Sequence, residues 1–147
     1  EQSFDQRLDC LERLRRCGYQ VGTGVMIGLP GQTSEDLARD VLFMRDQDVD
    51  MVGMGPFIPH HDTPLADSLG DFDAIKAHQL ELGLKMIACV RLVLRDVNIA
   101  STTALQALAT DGRERGLRAE TDAAYYRPSR AKSAPRRRQL PRAASPP

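Results

Sequence analysis

The stretch Gly18 to Thr33, GYQVGTGVMIGLPGQT, constrains the fold of this chain more than any other. It leaves one amphipathic segment and enters another, and between them runs an apolar segment punctuated by glycine. Val21, Val25, Met26, Ile27 and Leu29 supply the apolar side chains, with Gly22, Gly24 and Gly28 among them. A short apolar run between helical patterns reads as a parallel strand covered on both sides. Glycine inside a strand marks the close approach of a ligand or of another backbone. The GxG at Gly22 and Gly24 is not a dinucleotide fingerprint, whose glycines belong in the turn that opens the following helix; here Pro30 holds that turn. Simple packing of a barrel strand competes with the ligand explanation of the same glycines.

The remaining chain alternates in the same manner. Ser3 to Cys17 reads as a helix with Phe4, Leu8, Leu11 and Leu14 at helical spacing, Ser3 as N-cap and Gly18 as its stop. A second helix starts at Thr33 or Ser34, where Thr33 and Asp36 have capping-box spacing, and buries Leu37, Val41 and Met44. Asp50 to Pro59, DMVGMGPFIP, reads as a second glycine-broken strand followed by the turn-rich HHDTPL. A long helix over about Phe72 to Leu94 and a third strand from Asn98 to Ala104 complete the pattern. Strands alternating with helices of this size predict βαβ units and a parallel sheet. The fold class is therefore α/β, an arc of three to four αβ units of a parallel sheet; a complete (β/α)8 barrel needs roughly 200 to 250 residues and this chain has 147. Such an arc leaves strand edges open, which predicts marginal stability.

Charge narrows the partners. Twenty basic and twenty acidic residues balance, so the chain as a whole has no pull on nucleic acid or membrane. Beyond Glu120 the sequence turns Pro-, Arg-, Ala- and Ser-rich, with Arg127, Arg130, Lys132, Arg136, Arg137, Arg138 and Arg142 against Glu120 and Asp122. This divides the chain into a folded domain, 1–119, and a disordered basic tail, 120–147, for which a solvated role is preferred to nucleic-acid binding. Cys10, Cys17 and Cys89 match no metal-ligand spacing and read as packed thiols in a reducing, cytoplasmic compartment. His60 and His61, taken as neighbours on an extended segment, would point to opposite faces and share no metal. No apolar run reaches the ~20 residues of a membrane span. The absence of an initiator Met at Glu1 reads as a piece of a longer protein.

SFDQRLDCL, GYQVGTGVMIGLPGQT, DMVGMGPFIPHHDTPL, MIACVRLVL and NIASTTALQAL, in this order and spacing, resemble the C-terminal half of the HydE-type FeFe-hydrogenase maturases, over about Ser3 to Ala119. GLPGQT alone is weak; GPFIPHHDTPL followed by NIASTTAL is the more specific part and separates this chain from biotin synthase and methylornithine synthase, the alternative relatives. The resemblance implies a radical S-adenosylmethionine enzyme with a TIM-type barrel, so that the αβ units here would be a partial TIM-type (β/α) barrel. In such an enzyme a 4Fe-4S cluster on a CxxxCxxC loop binds S-adenosylmethionine, whose reductive cleavage gives a 5′-deoxyadenosyl radical. It also implies a small organometallic substrate, an iron-cysteine precursor of the hydrogenase di-iron cofactor, and other hydrogenase maturation proteins as partners.

By the same resemblance, Arg7 falls where an arginine pairs with the S-adenosylmethionine carboxylate. Met26, Ile27 and Gly28 fall on the strand beside the adenine, and Pro56 on the cofactor wall. Met51 lines the substrate cavity, as does the pair Thr102 and Thr103, whose hydroxyls could hold an anionic group. Without the resemblance these residues read as a helix-surface arginine, core packing and good β-formers. The cluster loop is absent, so neither catalytic nor metal-binding residues are assigned, and the chain alone is expected to be inactive and to bind neither cofactor tightly. After Arg118 and Ala119 the family continues with a Gly-Ala-Asn strand, whereas this chain reads Glu120-Thr121-Asp122; a change of reading frame would produce that junction. A noncatalytic truncated gene product is the reading from a different functional class.

Overall fold

The computed structural model describes residues 3–67 and 71–125. The described residues fall into two units, one up to Tyr19 and the other from Gln20 onward.

The first unit contributes helix α1, Phe4–Arg16. Ser3 caps it: its hydroxyl accepts from the Gln6 amide at 3.2 Å while the Gln6 side chain accepts from the Ser3 amide at 2.9 Å, a reciprocal capping box. No residue of α1 is buried, so the stripe of Phe4, Leu8, Leu11 and Leu14 is amphipathic in sequence without forming a core in the described residues.

The second unit is a parallel α/β layer. Strand β1 is Gly22–Ile27, β2 Met51–Pro56 and β3 Asn98–Ser101, in the order β1-β2-β3 with both pairings parallel. Helix α2, Ser34–Asp46, connects the first pair of strands, and α3, Pro64–Asp67, with α4, Phe72–Val93, the second. After β3 come α5, Thr103–Leu108, and α6, Gly112–Tyr125. α2 starts where its sequence dictates, with Thr33 and Asp36 bonded reciprocally.

Side chains alternate strictly on β2, where Val52, Met54 and Pro56 are buried and Met51, Gly53 and Gly55 are not. The buried set meets the helices in one apolar core with Ile27, Met44, Ile87 and Leu105 at its centre. Removing these side chains from water is the dominant stabilising contribution, about 1.5–3 kcal/mol for each large apolar side chain.

Two boundaries and one packing role differ from the sequence reading. The third strand ends at Ser101, and Thr102 is the N-cap of α5 with Thr103 its first residue. The two threonines therefore do not form a strand pair. α6 runs through Glu120 to Tyr125, past the point where the tail was placed. Its anchor is long-range: Glu120 accepts from the Arg91 guanidinium on α4 in an ion pair whose side chains are only 23% and 11% exposed. The rest of the tail, 126–147, lies outside the described residues. Finally, Cys10, Cys17 and Cys89 are all exposed, so the packing role assigned to them does not hold; helical spacing placed two of them on one face without making that face a buried one.

Candidate functional site

The face of the sheet turned away from the α2–α4 core is built from small residues. Register aligns Gly22 with Met51 and Asn98, Gly24 with Gly53 and Ala100, and Met26 with Gly55. The middle row is thus Gly-Gly-Ala across three strands, a flat floor without a projecting side chain. Met26 and Met51 flank it, 53% and 50% exposed. At Gly24 the lack of a side chain is required by the neighbouring strand, because a Cβ there would lie 1.7 Å from the Gly53 carbonyl oxygen. At Gly53 no atom of the described residues lies within 4 Å of that position. The glycine pattern therefore has two causes, one a backbone approach and the other open space.

Thr102 closes the far end of the floor. Its hydroxyl would lie 2.6 Å from a Cβ on Gly55, so that glycine makes room for it. As N-cap of α5 the hydroxyl makes no capping bond, and it is buried with no hydrogen-bond partner among the described residues. Thr103, one residue on, is exposed.

The turn after β1 is fixed by two glutamines. Gly28 has φ +76°, a left-handed conformation open to glycine at little cost. Its amide donates to Gln32 Oε1 at 2.7 Å, and Gln32 Nε2 returns a bond to the Met26 carbonyl at 3.2 Å. From α4, Gln79 Nε2 donates to the Gly28 carbonyl at 2.8 Å. Gln79 is 3% exposed. At the other end of β1, Asp50 accepts from the Val21 amide at 2.9 Å.

The residues assigned from sequence thus separate. Met26, Met51 and Thr102 border the open face, whereas Gly28 lies in the turn after β1 against Gln79 of α4. Ile27 and Pro56 do not offer side chains to the open face: Ile27 is fully buried in the helix-facing core, and Pro56 packs on Gly83 of α4. Strand alternation is the reason, and each can reach the open side only through its backbone. Arg7 is exposed on α1, in the other unit.

Gln79, Gln32 and Asp50 were missed. Gln79 had a readable signal, since it shares a helical stripe with Gly83, Met86 and Val90, and a polar residue on an apolar stripe must find a buried partner. His60 and His61 are also corrected. They lie in the turn-rich loop as read from the sequence, but the two rings stack with centroids 4.4 Å apart, so they do not point to opposite faces.

Chemically, the open-face positions carry thioethers, a hydroxyl, an amide and backbone groups, and no titratable side chain. They can shape and bind but not move protons. The described residues of Gln20–Arg127 therefore define an α/β protein whose parallel sheet presents one flat face without charged side chains at the aligned positions.

No protein-family model matches the chain. It is 51% identical over 117 residues to the FeFe hydrogenase maturase subunit HydE of Thermotoga maritima, 79% of this chain and 31% of that protein. It is 33% identical over 115 residues to the biotin synthase of Geobacter sulfurreducens, 78% of this chain and 30% of that one. A shorter match, 38% over 55 residues, is to the ribosomal protein uS12 methylthiotransferase RimO of an Anaeromyxobacter species. The chain belongs to the radical S-adenosylmethionine proteins, in the HydE and biotin synthase group. It spans about a third of the length of these first two relatives.

The residues present do not fit an iron-sulfur cluster. The cysteines lie on or beside α1 and on α4, all exposed, and no group of ligands containing a cysteine forms among the described residues. The open face does suit one side of a bound S-adenosylmethionine or substrate. Gly53 leaves space for close approach, and the Thr102 hydroxyl is a buried polar atom without a partner. No helix among the described residues is long and apolar enough to cross a membrane.

Proposed function

We propose that this chain is the C-terminal part of a HydE-like barrel and supplies one wall of a cavity shared by S-adenosylmethionine and a small organometallic precursor of the hydrogenase di-iron cofactor. The observation that carries the reading is the floor of Gly24, Gly53 and Ala100, bordered by Met26, Met51 and Thr102, in a chain 51% identical to a hydrogenase maturase. The biotin-synthase-like alternative rests on 33% identity over nearly the same residues and is the weaker. The chemistry that S-adenosylmethionine would supply when bound in the whole protein is a one-electron oxidant, an organic radical released with methionine when an electron from outside this chain breaks the sulfonium carbon–sulfur bond. The part of this chain is to bind, orient and exclude water, with the Thr102 hydroxyl as a hydrogen-bonding group and the thioethers as apolar contact. The cluster belongs to residues outside this chain, and the isolated chain is inactive. Its partners are the other hydrogenase maturation proteins, in the cytoplasm.

The test is a chimera in which the matching 117-residue segment of the Thermotoga maritima HydE is replaced by this chain's. A folded, cluster-loaded chimera that cleaves S-adenosylmethionine and supports hydrogenase maturation is the expected result. One that loads its cluster but shows neither activity overturns the assignment of the wall. Cleavage of S-adenosylmethionine by the isolated chain, after iron-sulfur reconstitution, overturns its inactivity alone.

A further inference from the structure

Away from the sheet, the loop after β2 carries a cluster that the open face does not use. The chain turns between His60 and Thr63, where the Thr63 amide and hydroxyl both donate to the His60 carbonyl, at 2.9 and 2.7 Å. Within this turn the His60 and His61 imidazoles stack at 4.4 Å with planes 25° apart. The Asp62 carboxylate lies 3.7 Å from Nδ1 of His60 and 3.3 Å from Nε2 of His61. One ligand atom from each residue falls within 4.8 Å of the others.

We propose that His60, His61 and Asp62 form a site for a divalent transition-metal ion of the zinc type, open to solvent at its remaining position. Two imidazoles and a carboxylate are donors that zinc takes, at about 2.0–2.2 Å. Tetrahedral bonds of that length place ligand atoms about 3.3–3.6 Å apart. The His61 and Asp62 atoms are at that separation already, and the widest spacing closes by about 1 Å through side-chain rotation, for which exposed residues have freedom. The Asp62 amide donates to His60 Nδ1 at 3.3 Å, a long bond that a metal at that nitrogen replaces. Imidazole favours zinc, nickel or copper over magnesium and calcium, which take oxygen. The site stands independently of the radical S-adenosylmethionine reading, since it shares no residue with the open face.

The experiment uses the full chain with Cys10→Ser, Cys17→Ser and Cys89→Ser, which removes the competing thiols at exposed positions. Zinc chloride is titrated against a chromophoric chelator, and cobalt chloride is added separately to read coordination from its visible absorption. One zinc per chain, held at micromolar concentration and unaffected by millimolar magnesium, is expected. His61→Ala weakens binding about tenfold or more, whereas His78→Ala, an exposed histidine on α4, does not. Circular dichroism of each variant verifies that the fold is kept. Zinc held no better than about 0.1 mM, equal binding after His61→Ala, or an octahedral aqua-type cobalt spectrum overturns the site.

Discussion

Gly28→Ala tests the turn that sets the end of β1. The methyl group would meet two obstacles at once. The residue has φ +76°, where a side chain costs about 1–2 kcal/mol. Its Cβ would also lie 2.0 Å from Gln79 Oε1, and Gln79 is buried with little room to retreat. Displacing it breaks the 2.8 Å bond from Gln79 Nε2 to the Gly28 carbonyl, about 1 kcal/mol. Against this, alanine restricts the unfolded chain, offsetting about 0.4–1 kcal/mol. The net loss is on the order of 2 kcal/mol, read as a shift of the urea midpoint followed by far-ultraviolet circular dichroism. The two obstacles separate in a double-mutant cycle with Gln79→Ala. With that side chain removed the methyl group has space, only the backbone cost remains, and the coupling should be about 1 kcal/mol. Additivity within about 0.3 kcal/mol, or an unshifted midpoint for Gly28→Ala, refutes the reasoning.

Glu120→Ala should destabilise the chain by about 1–3 kcal/mol, between the values for surface and buried ion pairs, because it leaves Arg91 partly buried without that carboxylate; protease cleavage within 112–125 should quicken in parallel. The Asp36 carboxyl is held below its ordinary value, first by the Thr33 backbone amide and then by the Thr33 hydroxyl. Its contribution is therefore full above the ordinary carboxylate pKa and lost as pH falls through the lowered one, so Asp36→Asn should flatten the thermal midpoint's dependence on pH in the acid limb and leave the limb above pH 6 unaltered. Met51→Gln, on a half-exposed side chain, should change stability by less than about 1 kcal/mol while lowering S-adenosylmethionine cleavage in the chimera.

What was legible in the sequence was local. Ser3 with Gln6, and Thr33 with Asp36, announce helix starts through contacts three residues apart, and both capping boxes are present. The alternation of β1 and β2 with helices was readable for the same reason. What was not legible depends on distant partners. Glu120 looks like the first residue of a polar tail until Arg91 is brought beside it. Thr102 and Thr103 are equally good in a strand or at a helix entry, and only the end of pairing at Ser101 decides. Ile27 and Pro56 were grouped with Met26 and Gly28 by motif, but a strand sends neighbouring side chains to opposite faces, and the core took Ile27 and Pro56.

That division of faces also limits what the chain can do. On the helix side, Val52, Met54 and Ile27 are chosen for volume, and substitutions there report on folding. On the open side, Gly24, Gly53 and Ala100 are chosen for the lack of volume, and nothing ionisable stands among the aligned positions. General acid or base catalysis needs a titratable group within hydrogen-bonding reach, so the open strand positions cannot supply it. A role for this face is therefore confined to binding and exclusion of water. In the chimera, enlarging the floor by Gly53→Ala, where no described atom lies within 4 Å of the new methyl group, should raise the concentration of S-adenosylmethionine or substrate needed for half-maximal rate and leave the unfolding midpoint within about 1 kcal/mol. A fall in the maximal rate alone, with binding intact, would point to chemistry on a face that has no group to perform it, and would refute the binding role.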